Sequence, residues 1–164
     1  MDILAHGLWA TLIFKNAPPT TRTVGIALSL APDLIAFVPN AVYSVITNNY
    51  KMWFKVSEDT VENMANRVPP WVYRIYDVTH SIPLWIIGFS IAWAIMGSVP
   101  WAAFGWLLHI IVDIPTHSRK FFPTPFLWPL SSYKFDGYNW EAKWYMIANY
   151  VVLLAFYLRL HILR

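Results

Sequence analysis

Apolar residues in this chain form long runs that are separated by short polar or proline-rich segments. The first run, 3–14, is shorter than the roughly 20 residues that a spanning helix needs, and it predicts a half-helix or an interfacial helix. The second run, 24–46, is long enough to span a bilayer and has Asp33 as its single charged residue, although two prolines interrupt it. The last run, 144–163, predicts another spanning helix.

A stretch without charged residues or histidines, 82–108, predicts a helical hairpin rather than one long helix. The Thr-His-Ser sequence at 79–81 can cap the first helix, and a proline in the first turn suits a helix start. This helix is expected to end near Met96, because the Gly-Ser-Val-Pro sequence at 97–100 is typical of a tight turn. A second helix then returns over 101–113.

Two connecting segments are expected to lie outside the bilayer or at its interface. Segment 48–79 is predicted to be a polar connection with a short helix capped by Ser57, and segment 115–142 interleaves prolines with aromatic residues and is predicted to be an irregular loop. The predicted fold class is all-α, an integral membrane helical bundle of about four to five helices with a tight helical hairpin at about 80–113. The whole chain, 1–164, is predicted to be one membrane-embedded domain.

The composition supports this interpretation. Hydrophobic residues make up 57% of the chain and charged residues 13%, against roughly a quarter charged in soluble domains. Ten tryptophans and nine tyrosines are typical of a protein with two interfacial belts. The chain has no cysteine, so any metal must bind nitrogen and oxygen ligands. A net charge of +3 is too small to indicate a nucleic-acid partner, and the lipid bilayer is the predicted surrounding.

Three ionisable residues follow the uncharged stretch at intervals of four: His109, Asp113 and His117. Residues four apart share one face of a helix, so His109 and Asp113 can reach the same ion. A charged aspartate near the bilayer centre costs roughly 2.5–3.5 kcal/mol on insertion scales, so these groups need partners. The spacing therefore indicates a pair of metal ligands inside the membrane.

The connectivity brings further ligands to the same end of the bundle. His80 at the start of one hairpin helix and Asp113 at the end of the other lie on the same side if the two helices are antiparallel. The first helix can place His6 there, and the next can return with Asp33. We therefore expect one metal cluster formed by His6, Asp33, His80, His109 and Asp113.

Each member also has a simpler interpretation. His6 can be a hydrogen-bonded interfacial histidine, and Asp33 can cap a helix broken by proline. His80 can belong to a polar helix N-terminus. His117, beyond Pro115, can be either a metal ligand or a solvated side chain. The joint occurrence of all these residues is far less expected by chance than the occurrence of any one of them.

At these residues the chain resembles the YdjM-like family of bacterial and archaeal inner-membrane proteins, which are named as metal-dependent hydrolases. The resemblance covers 6–129 and is carried by the series His6-Gly7, Pro32-Asp33, Thr79-His80-Ser81, His109-Ile-Ile-Val-Asp113-Ile-Pro-Thr116 and Leu127-Trp128-Pro129. The chain departs from the family at Leu34-Ile35, where a second acid is common, and at Tyr76-Asp77-Val78, where the family has His-Arg-Gly. The second departure affects expected substrate contacts more than metal binding.

The ligand series is also similar, more distantly, to that of the all-helical zinc phospholipase C and P1 nuclease group. This similarity implies that Asp33, His80, His109 and Asp113 hold one ion, and that His6 and a bridging Asp113 hold a second. His117 would take the place of a third-ion ligand. The group's later His-xxx-Glu element is missing, because Glu141 has no histidine four residues before it.

The function predicted is a membrane-embedded, metal-dependent hydrolase of a phosphoester, with a small-molecule or lipid-linked substrate. Nitrogen and oxygen ligands suit one or two Zn²⁺ ions, with Mn²⁺ or Fe²⁺ as alternatives. Asp33 is the predicted catalytic group, orienting the attacking water or acting as its base. Arg119 and Lys120 can neutralise a phosphate, or equally contact lipid headgroups at the interface.

The same residues would also suit two other classes of protein. A transporter or ion-conducting protein also places aspartate and histidine inside a bundle. A structural membrane protein can use a metal only to join its helices, and a closed coordination shell would favour that case.

The distribution of basic residues predicts a multi-pass protein of the inner (cytoplasmic) membrane, with the metal cluster on the cytoplasmic side. Eight of the 12 lysines and arginines fall in the loops on the His80 side, and cytoplasmic loops are enriched in such residues. A reporter enzyme fused at Gly97 is therefore expected to be active in the external compartment. Cytoplasmic activity of the same fusion would contradict the orientation.

Overall fold

The computed structural model describes residues 1–48, 68–120 and 122–162, and these residues form an all-helical fold. The short helix predicted after Ser57 lies outside the described residues. A 3₁₀ turn, Trp101–Ala103, precedes the fifth α-helix. The α-helices in the described ranges are α1 (Ile3–Ile13), α2 (Pro19–Ile46), α3 (Pro70–Thr79), α4 (Ile82–Met96), α5 (Phe104–Thr116) and α6 (Lys143–Ile162).

Local sequence signals set the ends of α4 as predicted. Ser81 caps its N-terminus, with the Ser81 hydroxyl accepting a hydrogen bond from the Leu84 N–H at 3.1 Å, and proline occupies the first turn. The helix ends at Gly97, which has φ of +65°, a left-handed conformation that glycine adopts without steric cost. The predicted hairpin is therefore present.

Helix α3 lies in the segment predicted to be a polar connection, and that part of the prediction is wrong. Residues 70–79 form a helix whose buried side chains, Val72, Tyr76 and Thr79, recur at helical spacing. The Tyr76 hydroxyl donates a hydrogen bond to the Phe122 carbonyl at 3.0 Å. The pattern escapes a search for long apolar runs because only one face of this short helix is apolar.

Helix α2 continues through Pro32 and Pro39 and is the one helix of the described residues that is by itself long and apolar enough to cross a membrane. Helices α3 and α4 meet the same criterion together, but they are bent by 55° at their junction. Helix α6 forms where the last apolar run predicts it. Its role as a spanning segment stays a prediction.

The interior and the surface have an unusual distribution of side chains. Helix α4 is apolar on every side, and none of its residues is buried against the rest of the described structure. Much of α6 also exposes large apolar side chains. The buried residues include many polar ones: His6, Ser29, Asn40, Ser44, Thr79, His80, Ser81, His109, Asp113, Thr116, His117 and Thr124.

Helices α2 and α5 make backbone contact at two glycines. A Cβ atom on Gly105 would lie 1.9 Å from the carbonyl oxygen of Gly25, which is far inside any allowed contact. One turn further along both helices, the Ser29 carbonyl accepts a hydrogen bond from His109 Nδ1 at 2.7 Å. Small residues allow this close approach, as they commonly do between helices in membranes.

The glycine contact predicts an effect of Gly105→Ala. The added methyl group meets backbone that cannot rotate away, so we expect destabilisation of about 1–3 kcal/mol, seen as a lower Tm in detergent. Gly88→Ala in α4 is the matched control, because its Cβ would have nothing within 4 Å. This control is expected to keep or raise the wild-type Tm, because alanine is the better helix former, and equal melting of the two variants would contradict the close crossing.

Candidate metal centre

Four side chains from three parts of the fold converge at the α2–α5 crossing. Asp33 lies two turns beyond Gly25 in α2, and His109 and Asp113 lie one and two turns beyond Gly105 in α5. His80 ends α3 and comes directly before the capping residue of α4. The bend between α3 and α4 therefore delivers His80 to the same point.

The geometry of this cluster fits one metal ion. Asp33, His80, His109 and Asp113 each offer one ligand atom, and these atoms all lie within 4.8 Å of one another. Asp113 Oδ2 lies 3.2 Å from His109 Nε2 and 3.5 Å from His80 Nε2. Asp33 Oδ1 lies 3.7 Å from His109 Nε2 and 3.6 Å from His80 Nε2. The predicted convergence of His80 and Asp113 is present.

Backbone carbonyls orient both histidine rings. His80 Nδ1 faces the Tyr76 carbonyl at 3.1 Å, and His109 Nδ1 faces the Ser29 carbonyl at 2.7 Å. A carbonyl only accepts hydrogen bonds, so each Nδ1 carries a proton, and a neutral ring then presents an Nε2 lone pair to the cluster. Metal-binding histidines are commonly held by such a carbonyl contact on the second ring nitrogen.

Two imidazole nitrogens and two carboxylates crowd the centre of the cluster. The two Nε2 atoms lie 3.0 Å apart, and two carboxylates approach the same point. Asp113 Oδ2 is buried and has no hydrogen-bond partner in the described structure. A buried acceptor without a partner costs free energy, and a bound cation would satisfy all four groups together. The cluster could therefore hold a metal ion.

The other oxygen of Asp113 faces a different set of groups. Asp113 Oδ1 lies 3.0 Å from His6 Nε2 and 3.4 Å from His117 Nε2. The α-amino group of Met1 also contacts Oδ1, and it lies 2.8 Å from His117 Nε2. His6 stacks on the His109 ring, with 3.8 Å between the ring centroids. His6 and His117 therefore adjoin the four-residue cluster across Asp113 rather than within it.

The burial of His117 excludes one of the two interpretations that the sequence leaves open for it. His117 is 6% exposed, so the solvated interpretation of this residue is wrong. The reason is that the loop after α5 folds back over it, with the Gly137 N–H donating a hydrogen bond to the His117 carbonyl at 3.0 Å.

Arg119 and Lys120 lie just beyond, and both are exposed. Arg119 Nε donates a hydrogen bond to the Lys134 carbonyl at 3.4 Å, and the Arg119 N–H donates one to Asp136 at 2.8 Å. Neither residue lines the cavity that adjoins the cluster. Their role in neutralising a phosphate stays a prediction.

Two residues that support the cluster were missed by sequence reasoning. The Tyr76 ring stacks on the His80 ring at 3.7 Å between centroids, and Ser29 supplies the carbonyl that holds His109. Ser29 has a signal in the sequence, because Gly25, Ser29 and Asp33 recur at intervals of four on one face of α2. No pattern in the sequence indicates Tyr76, apart from its position four residues before His80.

A cavity of about 710 Å³ adjoins the cluster. Asp33 and His117 line it at the metal centre, and Asp33 is the most exposed of the four candidate ligands, with 15% of its side chain accessible. The other three ligands are fully buried. Asp33 is therefore the ligand that a molecule in the cavity can reach.

Comparisons of this chain with models of protein families, with curated proteins and with solved structures give no match. The resemblance to the YdjM-like family therefore stays a prediction. The metal centre is supported by its own geometry.

The cluster predicts a selective loss of bound metal. Asp113→Asn removes the central charge while keeping the side-chain shape, and His80→Ala removes one nitrogen ligand, so both are expected to lower the metal content of the purified protein to well below one ion per chain. Asp77→Asn is the control, because this acid precedes His80 by one turn of α3 without belonging to the cluster. Elemental analysis after dialysis measures the effect. Full metal content in both cluster variants would refute the site.

Proposed function

We propose that this protein is a membrane-embedded, metal-dependent hydrolase of phosphoesters. The observation that carries the proposal is the meeting of two Nε2 lone pairs and two carboxylates at one buried point beside an open cavity. Zn²⁺ is the proposed metal, because a mixed imidazole and carboxylate set without thiolates suits it, and Mn²⁺ or Fe²⁺ fits the same ligands.

The distribution of side chains supports a membrane setting. Large apolar side chains on α4 and α6 point away from the protein, among them Ile87, Ile95 and Ile147. In water such a surface would be a large exposed apolar patch, whereas in a bilayer it contacts lipid tails at no cost. In this proposal the shorter helices, α1 and α5, reach only part of the way across, so the metal centre would lie within the membrane.

The protein's own groups fit the hydrolysis of a phosphoester. When bound, a divalent ion supplies Lewis acidity toward a phosphoryl oxygen and lowers the pKa of a water molecule. Asp33 is accessible from the cavity and lies at the cluster, so it can hold the attacking water and accept its proton. The fully buried His80, His109 and Asp113 would hold the ion and keep bulk water away from it.

A second ion belongs to this proposal. Asp113 presents one oxygen to His80 and His109 and the other to His6 and His117, so it could bridge two ions if the Met1 α-amino group, which contacts the second oxygen, moved away. Metal contents near two per chain would support it.

A structural role is the second candidate, and one observation favours it. Three of the four candidate ligands are fully buried and come from α5 and the α3–α4 junction, so an ion here would also join these helices. A fully metallated, well-folded preparation that hydrolyses none of a set of phosphomonoesters, phosphodiesters and phospholipids would favour this role.

The two roles are separated by Asp33→Asn. If Asp33 accepts the proton of the attacking water, this variant is expected to lose about 100-fold or more in turnover. It should retain more of its metal than Asp113→Asn does, because both histidines and Asp113 remain. Turnover is measured on the substrate panel with added Zn²⁺ or Mn²⁺, and Asp77→Asn again serves as the control. Activity that survives Asp33→Asn and Asp113→Asn together would place the hydrolytic centre elsewhere.

A further inference from the structure

Three basic side chains gather at the end of the bundle that lies away from the metal centre. Lys15 follows α1, Arg22 lies in the first turn of α2, and Arg159 lies in the last turn of α6. Lys15 and Arg159 line one cavity, and Lys15 and Arg22 line a second. We call these three residues the basic cluster.

Helix geometry sets the distance between the basic cluster and the metal centre. Arg22 precedes Asp33 by eleven residues of α2, or about 16 Å at 1.5 Å per residue. In α6, the Tyr150 hydroxyl donates a hydrogen bond at 2.8 Å to Asp2, which lines the cavity beside the metal centre. Arg159 follows Tyr150 by nine residues, or about 14 Å. The two helices therefore place their cations at a similar distance from the metal centre.

The charges of the basic cluster are not neutralised within the described residues. All three side chains are exposed, and none of them takes part in an ion pair there. The acidic residues of the described ranges belong instead to the metal centre, to the cavity beside it, to α3 or to the loop after α5: Asp2, Asp33, Asp77, Asp113, Asp136 and Glu141. The segment after Leu160 contains no acidic residue either. The basic cluster is therefore available to an anion from outside the chain.

The two cavities beside the basic cluster have largely apolar walls. The larger, of about 810 Å³, lies between α1 and α6, and Trp9 and Leu12 are among its lining residues. The smaller, of about 270 Å³, extends to α2 at Ile26. Leu12, Lys15 and Leu160 line both cavities, so the two adjoin each other at Lys15. One cation thus lies between two apolar recesses.

This combination restricts the class of ligand. A free anion such as inorganic phosphate would pair with the cations and leave the apolar walls uncovered. An uncharged lipid would cover the walls and leave the cations unpaired. A lipid with an anionic headgroup and two hydrocarbon chains does both, and basic pockets between membrane helices bind such headgroups.

We propose that the basic cluster binds one anionic diacyl phospholipid of the surrounding membrane. The phosphate of this lipid lies among Lys15, Arg22 and Arg159, and one acyl chain lies in each of the two cavities. The inference rests on the membrane setting of the proposed function but not on the hydrolase activity.

The experiment measures lipid binding by the metal-loaded protein in an uncharged detergent. Dioleoyl phosphatidylglycerol and dioleoyl phosphatidylcholine have the same chains, so the ratio of their Kd values isolates the effect of headgroup charge. Each cation near a membrane surface contributes about 5-fold to the binding of anionic lipid, so we expect phosphatidylglycerol to bind about 100-fold more tightly. Native mass spectrometry should show one such lipid per chain. Equal affinities for the two lipids would overturn the proposal.

Substitution of single cations has a matched control. Lys15→Gln and Arg159→Gln are each expected to weaken phosphatidylglycerol binding about 5-fold and to leave phosphatidylcholine binding unchanged. Lys143→Gln is the control, because Lys143 is exposed at the other end of α6 and lines neither cavity. It is expected to keep the wild-type Kd for both lipids. An equal loss in Lys143→Gln would show that overall charge attracts the lipid, and the proposed site would fail.

The placement of the acyl chains is tested separately. Ile26→Trp fills the smaller cavity, and Val24→Trp places the same ring on an exposed residue of α2 that lines neither cavity. Ile26→Trp is expected to weaken the binding of both diacyl lipids, and Val24→Trp to leave it unchanged. Inorganic phosphate in large excess should not displace phosphatidylglycerol. Displacement by phosphate, or equal binding by the two tryptophan variants, would contradict a site for a diacyl lipid.

The lipid site and the proposed function can fail independently. Lys15→Gln and Arg159→Gln should keep the wild-type metal content, because the basic cluster is separated from the metal centre by about 14–16 Å of helix. If phosphatidylglycerol binds selectively and no phosphoester is hydrolysed, the hydrolase function fails and the lipid site stands. If phosphoesters are hydrolysed and both lipids bind equally, the hydrolase stands and the lipid site fails. Release of the protein from membranes by alkaline carbonate would refute the membrane setting and the lipid site together.

Discussion

The close crossing of α2 and α5 is the contact on which the rest of the structure depends. Gly25 and Gly105 bring the two backbones together, and the residues one and two turns beyond are then forced to face one another. His109 can reach the Ser29 carbonyl only at this separation, and that contact selects the ring nitrogen that points to the cluster. The two glycines, which have no side chains, therefore determine how the four ionisable side chains of the cluster are arranged.

The fold is stabilised in a way that suits helices surrounded by lipid. Apolar side chains cover α4, while histidines, aspartates and serines fill the interior. Between helices in a bilayer the hydrophobic effect contributes little, so close packing and polar contacts supply the association free energy. The small apolar clusters, one around Val72 and Tyr76 and one around Ala5 and Leu153, lie beside the polar centre rather than replacing it.

The parts of the fold that depend on local signals could be predicted from the sequence. Ser81, the proline in the first turn of α4 and Gly97 mark both ends of that helix, and four-residue spacing paired His109 with Asp113. The convergence of His80 and Asp113 followed from connectivity alone, because an apolar hairpin must return its ends to one side. These predictions required no knowledge of side-chain packing.

Features that depend on packing at long range could not be predicted. Helix α3 was missed because its buried face appears only when α2 and Phe122 are in place. The division of Asp113 between two sets of groups was implied only by the distant similarity of its ligand series, because no residue pattern encodes the angle at which α1 approaches α5. The cavity beside Asn40 likewise needs the loop after α5, which has no periodicity.

The 55° bend between α3 and α4 has a thermodynamic consequence. His80 occupies the bend, and the Thr79 carbonyl that the break leaves without a helical partner accepts a hydrogen bond from Trp106 Nε1 at 2.6 Å. In the proposed metal-bound state, straightening the pair would withdraw His80 from the ion, so ion affinity and helix angle would be linked, and linkage acts in both directions. In the proposed membrane setting, a bilayer that is too thick or too thin for the bent pair would strain that angle and thereby weaken ion binding. Membrane thickness would then set how much of the protein carries its metal.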